Sequence, residues 1–139
     1  LILKQKEVVT MKKMLKMGVI SCSGMAEGHM TAIEKNPHAQ LVAVCDIDLE
    51  KARKTAEKFK VDQVFQDYRE LLKMEEIDGV VIVTPDQIHR EMALEALRAG
   101  KHVLCEKPLA LTREDCAEGR GRKRPEIYGW PDLPLYARL

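Results

Sequence analysis

Five short apolar runs punctuate the chain, and none is long enough to make an ordinary helix. They are "KMGVIS" (Lys16–Ser21), "LVAVC" (Leu41–Cys45), Val64-Phe65, "GVVIVT" (Gly79–Thr84) and "HVLC" (His102–Cys105). Near-continuous β-branched runs of this length read as strands buried on both faces, since a strand with one wet face alternates apolar and polar residues. The segments between them carry helical signals. Gly24 to Lys35 places Met25, His29, Ala32 and Ile33 at roughly helical spacing and stops at Asn36-Pro37. Asp48 to Lys60 is amphipathic with Asp48 as its N-cap, Asp67 to Met74 is a short helix, and Gln87 to Ala99 ends at Gly100. Thr112 to Asp115 resembles a capping box opening a further helix. Strands alternating with helices form a parallel sheet covered on both sides, wound outward in two directions by right-handed crossovers. The expected fold is α/β, a Rossmann-like doubly wound parallel sheet. It is incomplete, at about five strands where six are usual, and is followed by an irregular C-terminal tail.

Composition narrows the class. A chain of 139 residues with 45% apolar and 32% charged residues has room for one domain with a real core, and is not of the disordered kind. Its formal net charge of +1 gives no field for gripping nucleic acid or an anionic membrane. No apolar run approaches the ~20 residues that span a bilayer, and no signal-peptide pattern opens the chain. The four cysteines, Cys22, Cys45, Cys105 and Cys116, form no C-x-x-C pair, and three lie in or beside apolar runs. They read as reduced core thiols of a cytoplasmic protein rather than a metal site or disulfide framework.

In open parallel sheets, ligands bind outside the carboxyl ends of the strands, so the residues following each run carry the chemistry. After the first run, "SCSGMA" (Ser21 to Ala26) stands where a dinucleotide-binding turn reads G-x-G-x-x-G or G-x-G-x-x-A. A helix starting there presents free N–H groups and the positive end of its dipole to a pyrophosphate. Gly24 is retained and Ala26 is small enough for close helix–strand contact. Ser21 and Ser23 give up glycine's access to positive φ but offer hydroxyls to phosphate oxygens. Asp46 follows the second strand, 20 residues past Ala26. That separation suits a carboxylate accepting hydrogen bonds from the adenine-ribose hydroxyls, and its charge repels a 2′-phosphate, favouring NAD over NADP. The plainer reading of Asp46 is a cap for the following turn. After the fifth strand, Lys107 precedes Pro108, which ends a regular ladder and turns the chain. A lysine on that turn projects into the crevice beside the nicotinamide, where it can hydrogen-bond an oxygen undergoing redox chemistry. A solvated loop lysine is the ordinary alternative.

The run "IDGVVIVTPDQIHREMALEALRAGKHVLCEKPLALT", Ile77 to Thr112, carries a T-P-x-x-x-H block and a G-K-H-V-x-x-E-K-P block. With them the chain, from about Met14 to Glu118, resembles the glucose–fructose oxidoreductase/inositol dehydrogenase/MocA family. These are NAD(P)-dependent oxidoreductases, many acting on sugars and cyclic polyols. The resemblance implies a dinucleotide, NAD or in some members NADP, and a sugar-like small molecule as ligands. It implies that Thr84, Pro85 and His89 line the cofactor cleft and that Glu106 approaches the nicotinamide ribose. Lys107 would be the catalytic residue, serving both nicotinamide and substrate, and Met25 and Pro108 fall within the same cofactor-binding blocks. The family's turn usually reads G-C-G-G-I-A, against S-C-S-G-M-A here. Family members also carry a second, larger α/β domain that supplies an acid–base histidine and most substrate contacts, and full-length relatives can form oligomers.

The two ends depart from this pattern. "LILKQKEVVT" has no clear period and Met11 opens the run into the first strand. Residues 1–10 are therefore expected to be an upstream extension and 11–118 the dinucleotide-binding domain. From Gly119 to Leu139 the chain turns rich in Arg, Pro and aromatics. It reads as an aberrant, disordered tail rather than the basic patch of a nucleic-acid binder. One choice of codons for this segment yields, one base later, AAAESGRKSMVGQICRYTPG. That resembles the family's next helix, its sixth strand "MVGQ" and an arginine-containing segment beyond, so a frameshift near residues 117–121 is expected. As it stands, the chain is expected to show little or no catalysis, lacking the substrate pocket, the second acid–base group and a sixth strand. The missing strand would leave an exposed apolar sheet edge. A non-catalytic nucleotide-binding module or a folding-incompetent fragment is the alternative. Sequencing the gene tests the frameshift: codons 119–139 are expected to encode the family segment in the shifted frame, and codons that cannot do so refute it.

Overall fold

The computed structural model describes residues 14–107 and, as backbone, a short strand at 127–129. The order is β1 (Leu15–Ile20), α1 (Gly24–Lys35), β2 (Ala39–Cys45), α2 (Leu49–Phe59), β3 (Gln63–Phe65) and α3 (Tyr68–Leu72). Then come β4 (Gly79–Ile82), a 3₁₀ turn (Asp86–Ile88), α4 (His89–Arg98), β5 (His102–Cys105) and β6 (Ile127–Gly129). The strands form one parallel sheet in the order β3-β2-β1-β4-β5-β6. The chain winds from β1 out to β3, then returns past β1 to build the other half. β1 and β4 therefore flank the point where strand order reverses, and a crevice opens there at the carboxyl edge.

Successive strand residues face opposite layers, which explains the near-continuous apolar runs. Val19, Val44, Val81 and Val83 pack with Ala26, Met30, Ile33, Ala52, Ala56 and Phe59 beneath α1 and α2. Ile20, Cys45, Val80, Ile82 and Val103 pack with Leu71, Leu72, Met92, Ala93, Ala96 and Leu97 beneath α3 and α4. All four residues of β4 are buried, and each fully buried aliphatic side chain contributes roughly 1.5–3 kcal/mol. Gly18 stands on β1 because a Cβ there would come within 3.0 Å of Leu71 Cδ2.

The capping signals hold. Asp48 accepts from the Lys51 N–H and Asp67 from the Arg69 N–H, at the starts of α2 and α3. Gly100, with φ 79°, turns the chain out of α4. Two features go beyond the sequence reading. The buried stripe of α1 is Ala26, Met30 and Ile33, and Met25 is 62% exposed. The i, i+4, i+7 set packs on the sheet, and Met25 stands exposed on the first turn. The sheet also does not stop at β5. β6 pairs with it in parallel through Val103↔Ile127, Leu104↔Tyr128 and Cys105↔Gly129, so the β5 edge is covered. β6 overlaps the stretch where the shifted codons write "MVGQ". The Thr112–Asp115 signal, Cys116 and Pro108 lie outside the described residues.

Lys101 is 5% exposed at the opposite, amino edge of the sheet. Its Nζ donates to the carbonyls of Met74 (2.6 Å) and Ile77 (3.0 Å), tying the loop before β4 to the start of β5. Burial pushes its pKa below the usual lysine value, against the opposing pull of Asp78 and Glu75. Lys101→Met keeps the stem but takes the ammonium from both carbonyls, leaving that of Met74 with the Ile77 N–H alone (3.3 Å). It is expected to lower unfolding stability by about 2–3 kcal/mol, read as a reduced urea midpoint at unchanged m-value.

Candidate functional site

β1 delivers Ser21 to the carboxyl edge, where its N–H donates to the Cys45 carbonyl (2.8 Å). Its φ of 95° lies in the left-handed region, which an L side chain adopts only with strain. This is the first-glycine position of the turn. Ser23, at the second, has φ −74° and ψ 166°, extended backbone open to any residue. The loss of glycine's freedom therefore falls on Ser21 alone. Ser23 is the N-cap of α1: its Oγ accepts from the Ala26 N–H (3.3 Å), and its own N–H donates to Ser21 Oγ (3.3 Å). Both hydroxyl oxygens accept within the turn, which leaves each O–H hydrogen to serve an anion.

The N–H groups of Gly24 and Met25 meet no acceptor among the described residues, and a Cβ at Gly24 would touch nothing within 4 Å. Ala26 is fully buried, seating the helix directly on the sheet. The helix terminus thus stands open to solvent with donors at the positive end of its dipole, as a pyrophosphate requires.

Asp46 is 9% exposed at the end of β2. Its Oδ2 accepts from the Cys22 N–H (2.8 Å), its Oδ1 from the Asp48 N–H (3.0 Å), and Lys51 Nζ stands 3.4 Å from Oδ2. Burial alone would raise its pKa. The two N–H donors and the Lys51 ammonium outweigh that and hold the carboxyl below the usual aspartate value. Asp46 therefore does cap the following turn, and it also fastens the end of β2 to the turn after β1. Ile47, next in line, is 86% exposed at the same edge.

Past β4, Thr84 Oγ1 donates to Met92 Sδ (3.5 Å) and Pro85 begins the 3₁₀ turn. The His89 ring is 1% exposed, with Nε2 2.6 Å from the Thr84 carbonyl. His89 thus stands behind the loop and shapes it from within. Past β5, the Glu106 N–H donates to the Ile82 carbonyl (2.9 Å), and Lys107 is exposed on the turn. Glu106 Oε1 lies 2.7 Å from His29 Nε2, across from α1. Ser21, Ser23, Gly24, Met25, Asp46, Glu106 and Lys107 all reach the carboxyl edge. His29 and Ile47 join them unforeseen: Ile47 had a signal in being a bulky apolar residue just past a strand-ending acid, whereas nothing local couples His29 to a residue 77 positions away. The thiols of Cys22, Cys45 and Cys105 are buried and free, and burial pushes those of Cys45 and Cys105 up to about 12, the condition of inert core cysteines.

A family model described as an oxidoreductase family with an NAD-binding Rossmann fold matches residues 15–119. The chain belongs to the Gfo/Idh/MocA oxidoreductase family. Glucose-6-phosphate 3-dehydrogenase of Bacillus subtilis is 38% identical over 104 residues, 75% of this chain and 29% of that enzyme. The crystal structure of scyllo-inositol dehydrogenase from Lactobacillus casei, with bound NAD(H) and scyllo-inositol, superimposes with a TM-score of 0.71 at 32% identity. The match covers 76% of this chain and 32% of that one. A 3-ketoreductase from Actinomadura kijaniata, in complex with TDP-benzene and NADP, gives 0.71 at 33% identity over 75% of this chain and 33% of that one. The chain therefore spans about a third of the length of these Gfo/Idh/MocA relatives, and the part it holds is the family's NAD-binding Rossmann fold.

Ser21→Gly tests the strain. Relief of the left-handed serine, about 1–2 kcal/mol, exceeds the entropy glycine adds to the unfolded chain, about 0.5–1 kcal/mol. A net gain of about 0.5–1 kcal/mol is expected as a raised urea midpoint, and an unchanged or lowered midpoint would show that the turn is not strained.

Proposed function

We propose that this chain is the dinucleotide-binding part of an oxidoreductase moving hydride between a nicotinamide and a sugar or cyclic-polyol carbon, with NAD preferred over NADP. The observation that carries the reading is Asp46. Its carboxylate is held charged and bonded to the Cys22 N–H, so ribose acceptor and pyrophosphate turn form one rigid unit. In this reading the pyrophosphate sits on the Gly24 and Met25 N–H groups with the Ser21 and Ser23 hydroxyls. Ala26 allows the close approach, and the adenine ribose meets Asp46. Thr84 and Pro85 form the wall beyond β4 with His89 bracing that loop from behind, Glu106 meets the nicotinamide ribose, and Pro108, outside the described residues, falls in the same cofactor-binding block. The substrate class is supported by relatives named for inositol and glucose 6-phosphate.

Held by these residues, NAD⁺ would supply the hydride acceptor, taking up the two electrons and one hydrogen that leave the alcohol carbon. Lys107 donates a hydrogen bond to the alcohol oxygen and stabilises the negative charge on it as the hydroxyl proton leaves, so that the carbonyl product forms. The proton passes to an acid–base group outside the described residues, as the resemblance to longer family members suggests. For that reason binding without turnover is proposed for this stretch alone. We also read the protein as cytoplasmic, supported by its buried free thiols. Among the described residues no helix is long and apolar enough to cross a membrane.

Titration with NADH, followed by nicotinamide fluorescence, tests the reading. Saturable binding without turnover is expected, with NADPH at least about tenfold weaker from carboxylate–phosphate repulsion and with that gap narrowed by Asp46→Ser. A natively folded chain that fails to bind NADH overturns the reading. Failure accompanied by dye-accessible apolar surface identifies a fragment that does not fold.

A further inference from the structure

We infer that His29 is a positioning residue for the nicotinamide half of the site, holding the Glu106 carboxylate and, through it, the Lys107 turn in register with the pyrophosphate turn. The inference rests on the dinucleotide reading above and adds a residue to it. His29 lies on α1, the helix whose first N–H groups stand open at Gly24 and Met25, about one turn away. Its Nε2 is 2.7 Å from Glu106 Oε1, with side-chain exposures of 15% and 24%. An ionised carboxylate only accepts, so Nε2 carries the hydrogen and donates. The other oxygen, Oε2, accepts from the Lys107 N–H at 3.3 Å, while the Glu106 N–H is tied to the Ile82 carbonyl at 2.9 Å. One residue thus joins three parts: the Glu106 carboxylate holds α1 and the backbone of Lys107, and the Glu106 N–H holds the end of β4.

The consequence is mechanical. A helix of 12 residues is stiff, so an anion seated on its first turn and a carboxylate held by its second turn keep a fixed separation. Without the imidazole, Glu106 stays tied to Ile82 just past β5, but its side chain is free to rotate into solvent, and the Lys107 N–H loses its acceptor. The adenosine half of the site has its own anchor in Asp46 and does not depend on this contact.

The test compares NADH with ADP, which contains the adenosine and pyrophosphate but no nicotinamide ribose. Calorimetric titration of the full chain is expected to show His29→Ala raising the NADH dissociation constant roughly tenfold, with ADP affinity unchanged. His29→Gln, whose amide is a neutral donor of similar reach, is expected to restore NADH affinity. Glu106→Ala is expected to reproduce the loss, with no further loss in the double variant. Parallel weakening of ADP, an unaffected His29→Ala, or no rescue by glutamine overturns the inference while leaving the dinucleotide reading in place. A wild-type chain that binds neither nucleotide overturns both.

Discussion

β1 is hydrogen-bonded to β2 on one side and to β4 on the other, and its last two residues face opposite layers, Val19 toward α1 and α2, Ile20 toward α3 and α4. A strand so enclosed can be neither an edge nor a wet face. The sheet is parallel, and from β1 to β5 a helix carries each crossover back to the same starting edge. Every strand then ends on one side of the molecule. Residues far apart in sequence, Ser21, Asp46 and Glu106 among them, are brought to one crevice by that constraint alone. The apolar alternation between the two cores makes a register slip costly, since moving a strand by one residue would exchange its faces.

At the crevice, local chemistry takes over from packing. Asp46 is nearly buried, and burial by itself would push it toward the neutral form. Two backbone donors and a lysine reverse the balance, so the charge survives at the carboxyl edge of the sheet. The same bonds join β2 to the turn after β1. A carboxylate that looked in the sequence like either a ligand or a cap is structurally a cap, and its charge and location suit it to both tasks.

The fold was legible because its signals are local and redundant. The β-branched runs, the Asp48 cap and the Gly100 terminus each report on a few neighbouring residues, and all agree. Two features were not legible for the same reason. The buried face of α1 was not legible because Met25 and His29 share a helical period with core positions, and only the seating of the helix on the sheet decides which stripe goes inward. β6 lies in a segment without strand period, and its pairing is supplied by the open edge of β5. In the site, spacing and family resemblance pick out Ser21 to Ala26, Asp46 and Lys107, which the fold brings to one edge of the sheet. The burial of His89, the Asp46–Cys22 bond and the His29–Glu106 contact arise from tertiary approach and leave no local trace.

The two serines of the opening turn now separate into different physical effects. Ser21 holds the left-handed backbone that glycine would hold without strain, and that cost is present whether or not a ligand is bound. It subtracts from folding stability, while the Ser21 hydroxyl hydrogen stays at the turn to serve an anion. Ser23 occupies ordinary backbone, but its Oγ takes the Ala26 N–H, a donor that the open helix terminus could otherwise turn toward an anion. Its effect is on affinity, and its hydroxyl hydrogen, free to point outward, offsets part of the loss. The Gly24 and Met25 donors are spared in either case. A turn that departs from the family pattern at two positions therefore keeps the donors that matter most for a pyrophosphate, and the departure is felt first in how firmly the domain holds together.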